Sequence, residues 1–429
     1  MIFARGALLP DGQLPRLLDG LEEELTRTLA LPPLPPQAVV SALDALGQEL
    51  DSGLLDGLIA QYAPPGAREE LAQVRRLLRP EQLEYKLRTE LGSREAEERP
   101  FGRRELRPLG VLLHVAPGNM AGLPLFTAAE GLLTGNINLL KLPREDRGLT
   151  PAVLSRLTRA QPALAPFLYA FDLPSSDAAS LKRLAALADG VVTWGGDEAV
   201  EAMRRLSPPG CKLIEWGHRL SFAYLSGSPD REALAGLADH IVRTGGLLCS
   251  SCQVIFLDSP DPEAGATFCK AFLPLLEGAR EGQSLPPDQA AQAALYAREA
   301  QLEHLVGRSG QETFFPGRGC SLTLRRDKTL ELSPLNGNVL VKCLPRGELA
   351  AALRPHRGRL QTAGLLCPPR EREALTALLL QAGVNRVAFP AHMSRSFPGE
   401  GHDGEYPLRR YTRVCDIEMK RCSQDGTEN

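Results

Sequence analysis

Apolar positions along this chain form helical stripes at first and short continuous runs later. Leu14, Leu17, Leu18, Leu21 and Leu25 recur at the three- and four-residue spacing that lines up one face of a helix. The proline cluster Leu31-Pro-Pro-Leu-Pro-Pro36 ends that stripe, because proline lacks the N–H a helix interior requires. A second stripe runs through Val39, Leu43, Leu46 and Leu50, so residues 13–90 are expected to be helical. The pattern changes near residue 108. Leu109-Gly-Val-Leu-Leu-His-Val115 is the short apolar run expected of a strand buried on both faces of a parallel sheet. Residues 137–141, 189–194, 212–215, 221–225 and 254–257 read the same way. Helices are expected between them over 123–134, 151–167, 177–188, 230–242 and 262–276. Strand and helix in alternation predict an α/β protein with mainly parallel sheets, and no internal repeat is visible.

Length and charge narrow this picture. A chain of 429 residues exceeds what one simple core holds, so two domains are expected. Lys and Arg number 49 against 52 Asp and Glu, a net charge of −3 that argues against nucleic acid as a partner. No charge-free apolar run is long enough to predict a membrane span. The first residues, Met-Ile-Phe-Ala-Arg-Gly, carry too short an apolar stretch for a secretory signal. Nine irregularly spaced cysteines then suggest reduced thiols and a cytoplasmic setting. Only Cys249 and Cys252 form a C-x-x-C pair, and no second pair lies nearby, so no metal site is expected.

Four segments could carry chemistry. Ala116-Pro-Gly-Asn-Met-Ala-Gly122 follows an expected strand, where α/β sheets bind ligands, and the amide of Asn119 can donate to a developing oxyanion. Lys141-Leu-Pro-Arg144 places two cations past another strand, suited to a phosphate or ribose-phosphate, though a solvated basic turn would read the same. Trp194-Gly-Gly-Asp-Glu-Ala199 puts a glycine pair before a helix start, which allows close backbone approach and favours an anion. Thr244-Gly-Gly-Leu-Leu-Cys-Ser-Ser-Cys-Gln253 offers Cys249 as a thiolate nucleophile, although most single cysteines are small buried apolar residues.

Taken together and in order, Asn119, Lys141, Gly195–Gly196, Glu215 and Cys249 resemble the aldehyde dehydrogenase superfamily. Within it, Val192-Thr-Trp-Gly-Gly-Asp-Glu-Ala199, Leu248-Cys-Ser-Ser251, Pro398-Gly-Glu-Gly-His-Asp-Gly404 and Val414-Cys-Asp-Ile-Glu418 look most like the LuxC-like acyl-CoA reductases related to the bioluminescence fatty-acid reductase. The resemblance covers roughly residues 100–420.

It implies an aldehyde dehydrogenase-like fold: a Rossmann-type NADP-binding domain over 1–217 with 394–429, and an α/β catalytic domain over 218–393. Residues 1–100 would be its helical part and 394–429 a C-terminal return that also serves oligomerisation. By resemblance Cys249 is the nucleophile that forms an acyl-enzyme from an acyl-CoA or acyl-protein thioester, which is reduced to a long-chain fatty aldehyde. Asn119 would hold the oxyanion with the Cys249 N–H; one such donor is worth ~3 kcal/mol in the transition state. Lys141, Pro117, Gly195 and Gly196 would contact the cofactor. Arg144 stands where NAD-preferring relatives often carry Glu, which points to NADPH. Glu215 aligns with the superfamily's general base, but a thioester reductase needs no activated water, so either a catalytic or a structural role fits. Cys252 is a second candidate nucleophile, or a partner for Cys249 in a resting disulfide. His402 and Asp403 lie in the family-like tail, with no chemical argument for a role. A homodimer or larger assembly is implied. The competing readings are a hydrolytic aldehyde dehydrogenase, a cysteine acyltransferase or thioesterase without a nicotinamide, and a non-catalytic scaffold.

Overall fold

The computed structural model describes residues 1–63, 67–92, 97–99, 102–118, 120–307, 312–397 and 399–419. The chain divides into two compact units, Met1–Gly217 with Phe397–Asn429, and His218–Ser396.

The first unit opens with a hairpin, β1 (Ile2–Ala4) and β2 (Ala7–Leu9), and five helices: α1 (Leu14–Leu29), α2 (Pro36–Asp51), α3 (Asp56–Tyr62), α4 (Ala67–Leu77) and α5 (Pro80–Leu91). The α1 stripe is buried at Leu17, Leu18, Leu21 and Leu25. Leu21 is fully enclosed, so truncating it to alanine costs about 2–5 kcal/mol. Pro36 stands in the first turn of α2, where its missing N–H is no loss.

Then come β3 (Glu97–Arg99), β4 (Gly102–Pro108), β5 (Val111–Val115), α6 (Leu123–Leu133), β6 (Ile137–Lys141), α7 (Leu149–Ala160), β7 (Leu168–Phe171), α8 (Ala178–Ala186), β8 (Gly190–Trp194), α9 (Asp197–Leu206) and β9 (Lys212–Trp216). The single helix expected over 151–167 is divided: α7 ends at Ala160, and Pro162 starts a 3₁₀ stretch to Phe167. Strands order as β2-β1-β7-β6-β5-β8-β9. The five from β5 to β9 are mutually parallel, and β1 joins β7 antiparallel. Parallel strands covered on both sides favour apolar residues, and β6 and β7 are buried throughout, with Asn138 and Lys141 the polar positions of β6. His114, fully buried in β5, is accommodated by Thr127 (2.9 Å) and Asn138 (3.0 Å).

The second unit holds β10 (Leu220–Leu225), α10 (Arg231–Thr244), β11 (Cys252–Leu257), α11 (Pro262–Arg280), α12 (Pro287–Leu305), β12 (Thr313–Gly317), β13 (Cys320–Arg325), β14 (Asn338–Cys343), α13 (Leu349–Leu353), β15 (Leu360–Leu366), α14 (Arg372–Gln381) and β16 (Arg386–Ala388). Its sheet orders as β12-β13-β14-β11-β10-β15-β16, parallel except at β12. The period of two sends alternate residues to opposite cores: Ala223, Leu225, Ile255 and Leu257 to one, Phe222, Tyr224, Val254 and Phe256 to the other.

The C-terminal segment returns to the first unit as α15 (Pro407–Arg410) and β17 (Thr412–Glu418), and β17 pairs antiparallel with β4 in a sheet ordered β17-β4-β3. Its entry is fastened at Glu90 of α5, whose carboxylate accepts from Leu408 N (2.8 Å) and pairs with Lys86 (2.5 Å).

Candidate active site

In the first unit the predicted residues stand at the carboxyl ends of parallel strands. Ala116 N donates to Lys141 O (3.1 Å), so the chain leaves β5 alongside β6. Pro117 is half-buried and Gly118 exposed; Asn119 itself lies outside the described residues, as does Pro398 of the tail motif. An added Cβ on Gly118 would meet Glu145 Oε2 at 2.3 Å, the free end of an exposed side chain. Ala121 N donates to Glu70 Oε2 of α4 (2.5 Å), and Gly122, at φ +83°, leaves room for Leu71 of the same helix. The turn just before α6 is thus tied to α4 by a carboxylate of this chain.

Lys141 ends β6 with its side chain only 7% exposed. Its Nζ donates to Ser175 Oγ (3.2 Å). Burial pulls the ammonium pKa down, and the nearby charges of Glu145 and Asp172 partly offset this. Arg144 is exposed on the turn that follows. Between β8 and α9, Gly195 adopts φ +154°, donates to Trp216 O (3.2 Å), and would press an added Cβ against Ala199 (3.1 Å). An added Cβ on Gly196, at the start of α9, would meet nothing within 4 Å. A buried cation at one strand end and an uncrowded helix start at another suit the phosphates of a dinucleotide.

Glu215 lies in β9, and both its oxygens accept from the Arg204 guanidinium of α9 (2.5 and 2.6 Å). Such a fork holds a carboxylate in place and occupies one lone pair on each of its oxygens. The tail brings His402 against the tryptophans that end β8 and β9, its ring 4.9 Å from each centroid. Asp403 is 2% exposed beside it.

In the second unit Cys249 sits in the loop between α10 and β11, at the amino end of the sheet. It is exposed, whereas Cys252 opens β11 and is buried; neither is joined in a disulfide. Burial pushes the Cys252 thiol up to about 12, the wrong setting for a thiolate nucleophile. The backbone around Cys249 is tied at many points. Ser221 Oγ donates to Cys249 O (2.7 Å). Leu248 N donates to Ser251 Oγ (2.9 Å), and Ser251 N returns a bond to Leu248 O (2.9 Å). Gln253 Nε2 donates to Gly246 O (2.9 Å), and Gln253 Oε1 accepts from both N and Oγ of Ser333 (3.0 Å each). Cys252 N donates to His240 Nε2 (3.2 Å), which fixes His240 as the neutral Nδ1–H tautomer facing Ser394 Oγ (3.3 Å). Burial lowers the His240 pKa to about 4.

Sequence reasoning missed Glu70, Glu145, His240, Gln253 and Ser333. Glu145 directly follows Arg144, and Gln253 closes the cysteine motif, so both were in view. Glu70, His240 and Ser333 reach the site through folding and leave no local mark. Among the described residues no cluster of His, Cys, Asp or Glu could hold a metal ion, and no helix is long and apolar enough to cross a membrane.

A model of the family described as "Acyl-CoA reductase (LuxC)" matches residues 34–414. Two curated relatives are named long-chain acyl-protein thioester reductase. The one from Aliivibrio fischeri is 27% identical over 154 residues, 35% of this chain and 32% of its own length. The one from Vibrio harveyi is 26% identical over 204 residues, 46% and 43%. The chain thus spans less than half the length of either. Among solved structures, lactaldehyde dehydrogenase from Escherichia coli superposes with a TM-score of 0.69 at 15% identity, covering 96% of this chain and 92% of that one. Aldehyde dehydrogenase 21 from Physcomitrella patens gives 0.70 at 12% identity, with 97% and 92% covered. At such identities these likenesses establish the fold, which is that of aldehyde dehydrogenases.

Proposed function

Because the chain belongs to the acyl-CoA reductase (LuxC) family, we propose that it reduces an acyl thioester to an aldehyde through an acyl-enzyme on Cys249. The observation that carries this reading is the contrast within one C-x-x-C: an exposed thiol on a backbone fixed from several sides, beside a thiol sealed in the core. The Cys249 thiolate attacks the thioester carbonyl carbon; the Cys249 N–H would hold the oxyanion, a role the family resemblance also gives to the amide of Asn119. The carbon–sulfur bond to the donor breaks, and the donor leaves as its thiol. A reduced nicotinamide, when bound, supplies the hydride that the acyl carbon needs. Collapse of the tetrahedral adduct breaks the bond to Cys249 and releases the aldehyde.

Lys141, Pro117, Gly195 and Gly196 would hold that cofactor, and the exposed Arg144 guanidinium is suited to a 2′-phosphate, hence NADPH. Since Arg204 engages both oxygens of Glu215, a positioning role for Glu215 is favoured over water activation, and reduction over hydrolysis. The donor is a CoA thioester or an acyl-protein, as in the relatives' names. The protein is proposed to act in the cytoplasm as a homodimer or larger assembly, joined through the outer edge of β17, which pairs with no strand among the described residues.

The test is incubation with NADPH or NADH and a panel of acyl-CoA chain lengths, alongside an acyl-carrier-protein thioester, following cofactor absorbance and trapping aldehyde. Aldehyde in proportion to NADPH consumed supports the reading. Repeated thioester turnover, beyond one equivalent per Cys249, with no cofactor dependence, or oxidation of free aldehyde without a thiol acceptor, opposes it.

A further inference from the structure

We propose that Gln253 is a positioning residue for Cys249, acting through the glycine turn that precedes it; this rests on the acyl-enzyme reading above. Gln253 is 3% exposed, and both ends of its amide are used. Nε2 donates to Gly246 O (2.9 Å), three residues before Cys249, while Oε1 accepts from Ser333 N and Ser333 Oγ (3.0 Å each), far away in the chain. The two segments it joins also meet directly. Asn336 N donates to Gly245 O (2.8 Å), and an added Cβ on Gly246 would lie 2.8 Å from Leu335 Cδ2 and 3.1 Å from Ser333 Oγ. Gly245 and Gly246, at φ +58° and +83°, turn the chain out of α10 toward Cys249. This turn depends on glycine and lacks the ladder bonds of a strand, so its direction is set by whatever holds its carbonyls. The amide of Gln253 supplies that hold at Gly246, and it has the one donor and the one double acceptor the position requires.

The roles of its two ends differ, so the variants separate. In Gln253→Met the volume is kept and every bond is lost. In Gln253→Glu the acceptor for Ser333 remains, but a carboxylate oxygen faces Gly246 O. Ser333→Ala removes one donor and leaves the backbone N–H bonded. The acylation rate is read from donor-thiol release without nicotinamide, and Cys249 reactivity from alkylation by iodoacetamide, which makes little demand on geometry. Q253M and Q253E are expected to lose about tenfold or more in acylation rate, as misplacement of a reacting group does. Alkylation of Cys249 and the KM for NADPH should stay within about threefold, and S333A should acylate within about threefold of the parent. Parent-like acylation by Q253M, or a parallel fall in acylation and alkylation, would overturn the positioning role. If the unmodified protein fails to acylate Cys249, the parent reading falls with it. If that protein acylates and only the variants are unaffected, this inference alone falls.

Discussion

The two units put their candidate residues at opposite ends of similar sheets. In the first, Pro117, Lys141, Gly195 and Gly196 follow the carboxyl ends of β5, β6 and β8. In the second, Cys249 precedes the amino end of β11, and the carboxyl end is occupied otherwise. There Arg346 bridges Asp258 and Glu371 (2.6 Å each), Ser226 Oγ donates to Glu371 Oε2 (3.0 Å), and Tyr224 Oη donates to Leu344 O (3.0 Å). On the proposed function the difference is one of chemical task. An anionic cofactor is met by helix starts and cations at strand ends, which parallel topology supplies in any α/β sheet. A nucleophile needs one side chain at a fixed point, which the second unit achieves with a loop cross-linked to distant segments.

If that division of labour holds, variants in the two units should fail at different steps. The largest effect is expected at Cys249: Cys249→Ala should lower aldehyde formation by about a thousandfold or more, with the melting temperature unchanged. Cys252→Ser should keep acylation but destabilise the second unit by about 1–3 kcal/mol, measured by denaturant titration, because it buries a hydroxyl in apolar surroundings. Next is Asn119→Ala, the one first-unit change expected to slow acylation itself, by roughly a hundredfold or more in a single-turnover assay. Gly195→Ala should weaken cofactor binding about tenfold in a fluorescence titration while leaving acylation intact, since φ +154° and the Ala199 contact both resist a side chain. Loss of acylation in that variant would break the division.

Smaller effects sharpen it. Arg144→Glu should shift the ratio of kcat/KM from NADPH toward NADH; no gain for NADH would count against the 2′-phosphate assignment. Finally, each unit buries one neutral histidine, His114 and His240, whose pKa burial lowers to about 4. The unfolded chain binds those protons from about pH 6.5 downward, so the stability they preserve is complete above that pH and is lost as pH falls toward 4. The loss is on the order of a few kcal/mol per histidine, read as a lower denaturation midpoint near pH 5 than near pH 7.

What was legible in the sequence followed the same line. The parallel strands of the first unit are short and mostly apolar, which marks β5, β6, β8 and β9 within a residue or two, and with them the strand-end turns; β7, apolar throughout, is not marked. The β1–β2 hairpin was not, because three-residue strands carry no period, and β1 forms on the edge offered by β7. Strands β12 to β16 were also left unread among closely spaced Gly and Pro turns. Cys249 is a candidate from its glycine-rich turn and C-x-x-C spacing, but only the family resemblance sets it above the ordinary reading of a buried thiol. Its supports are invisible for a plainer reason: Ser333 bonds Gln253 across 80 residues, and Ser221 reaches Cys249 across 28. Such pairings exist only once the sheet has formed.

The central claim is chemical occupancy of one sulfur. Mass spectrometry of the protein mixed with a long-chain acyl thioester, without nicotinamide, followed by peptide mapping, tests it most directly. The account predicts a single acyl adduct on the Cys249 peptide that disappears, with release of aldehyde, when NADPH is added. An adduct on Cys252 or any other residue, or turnover with Cys249 unmodified throughout, would contradict it.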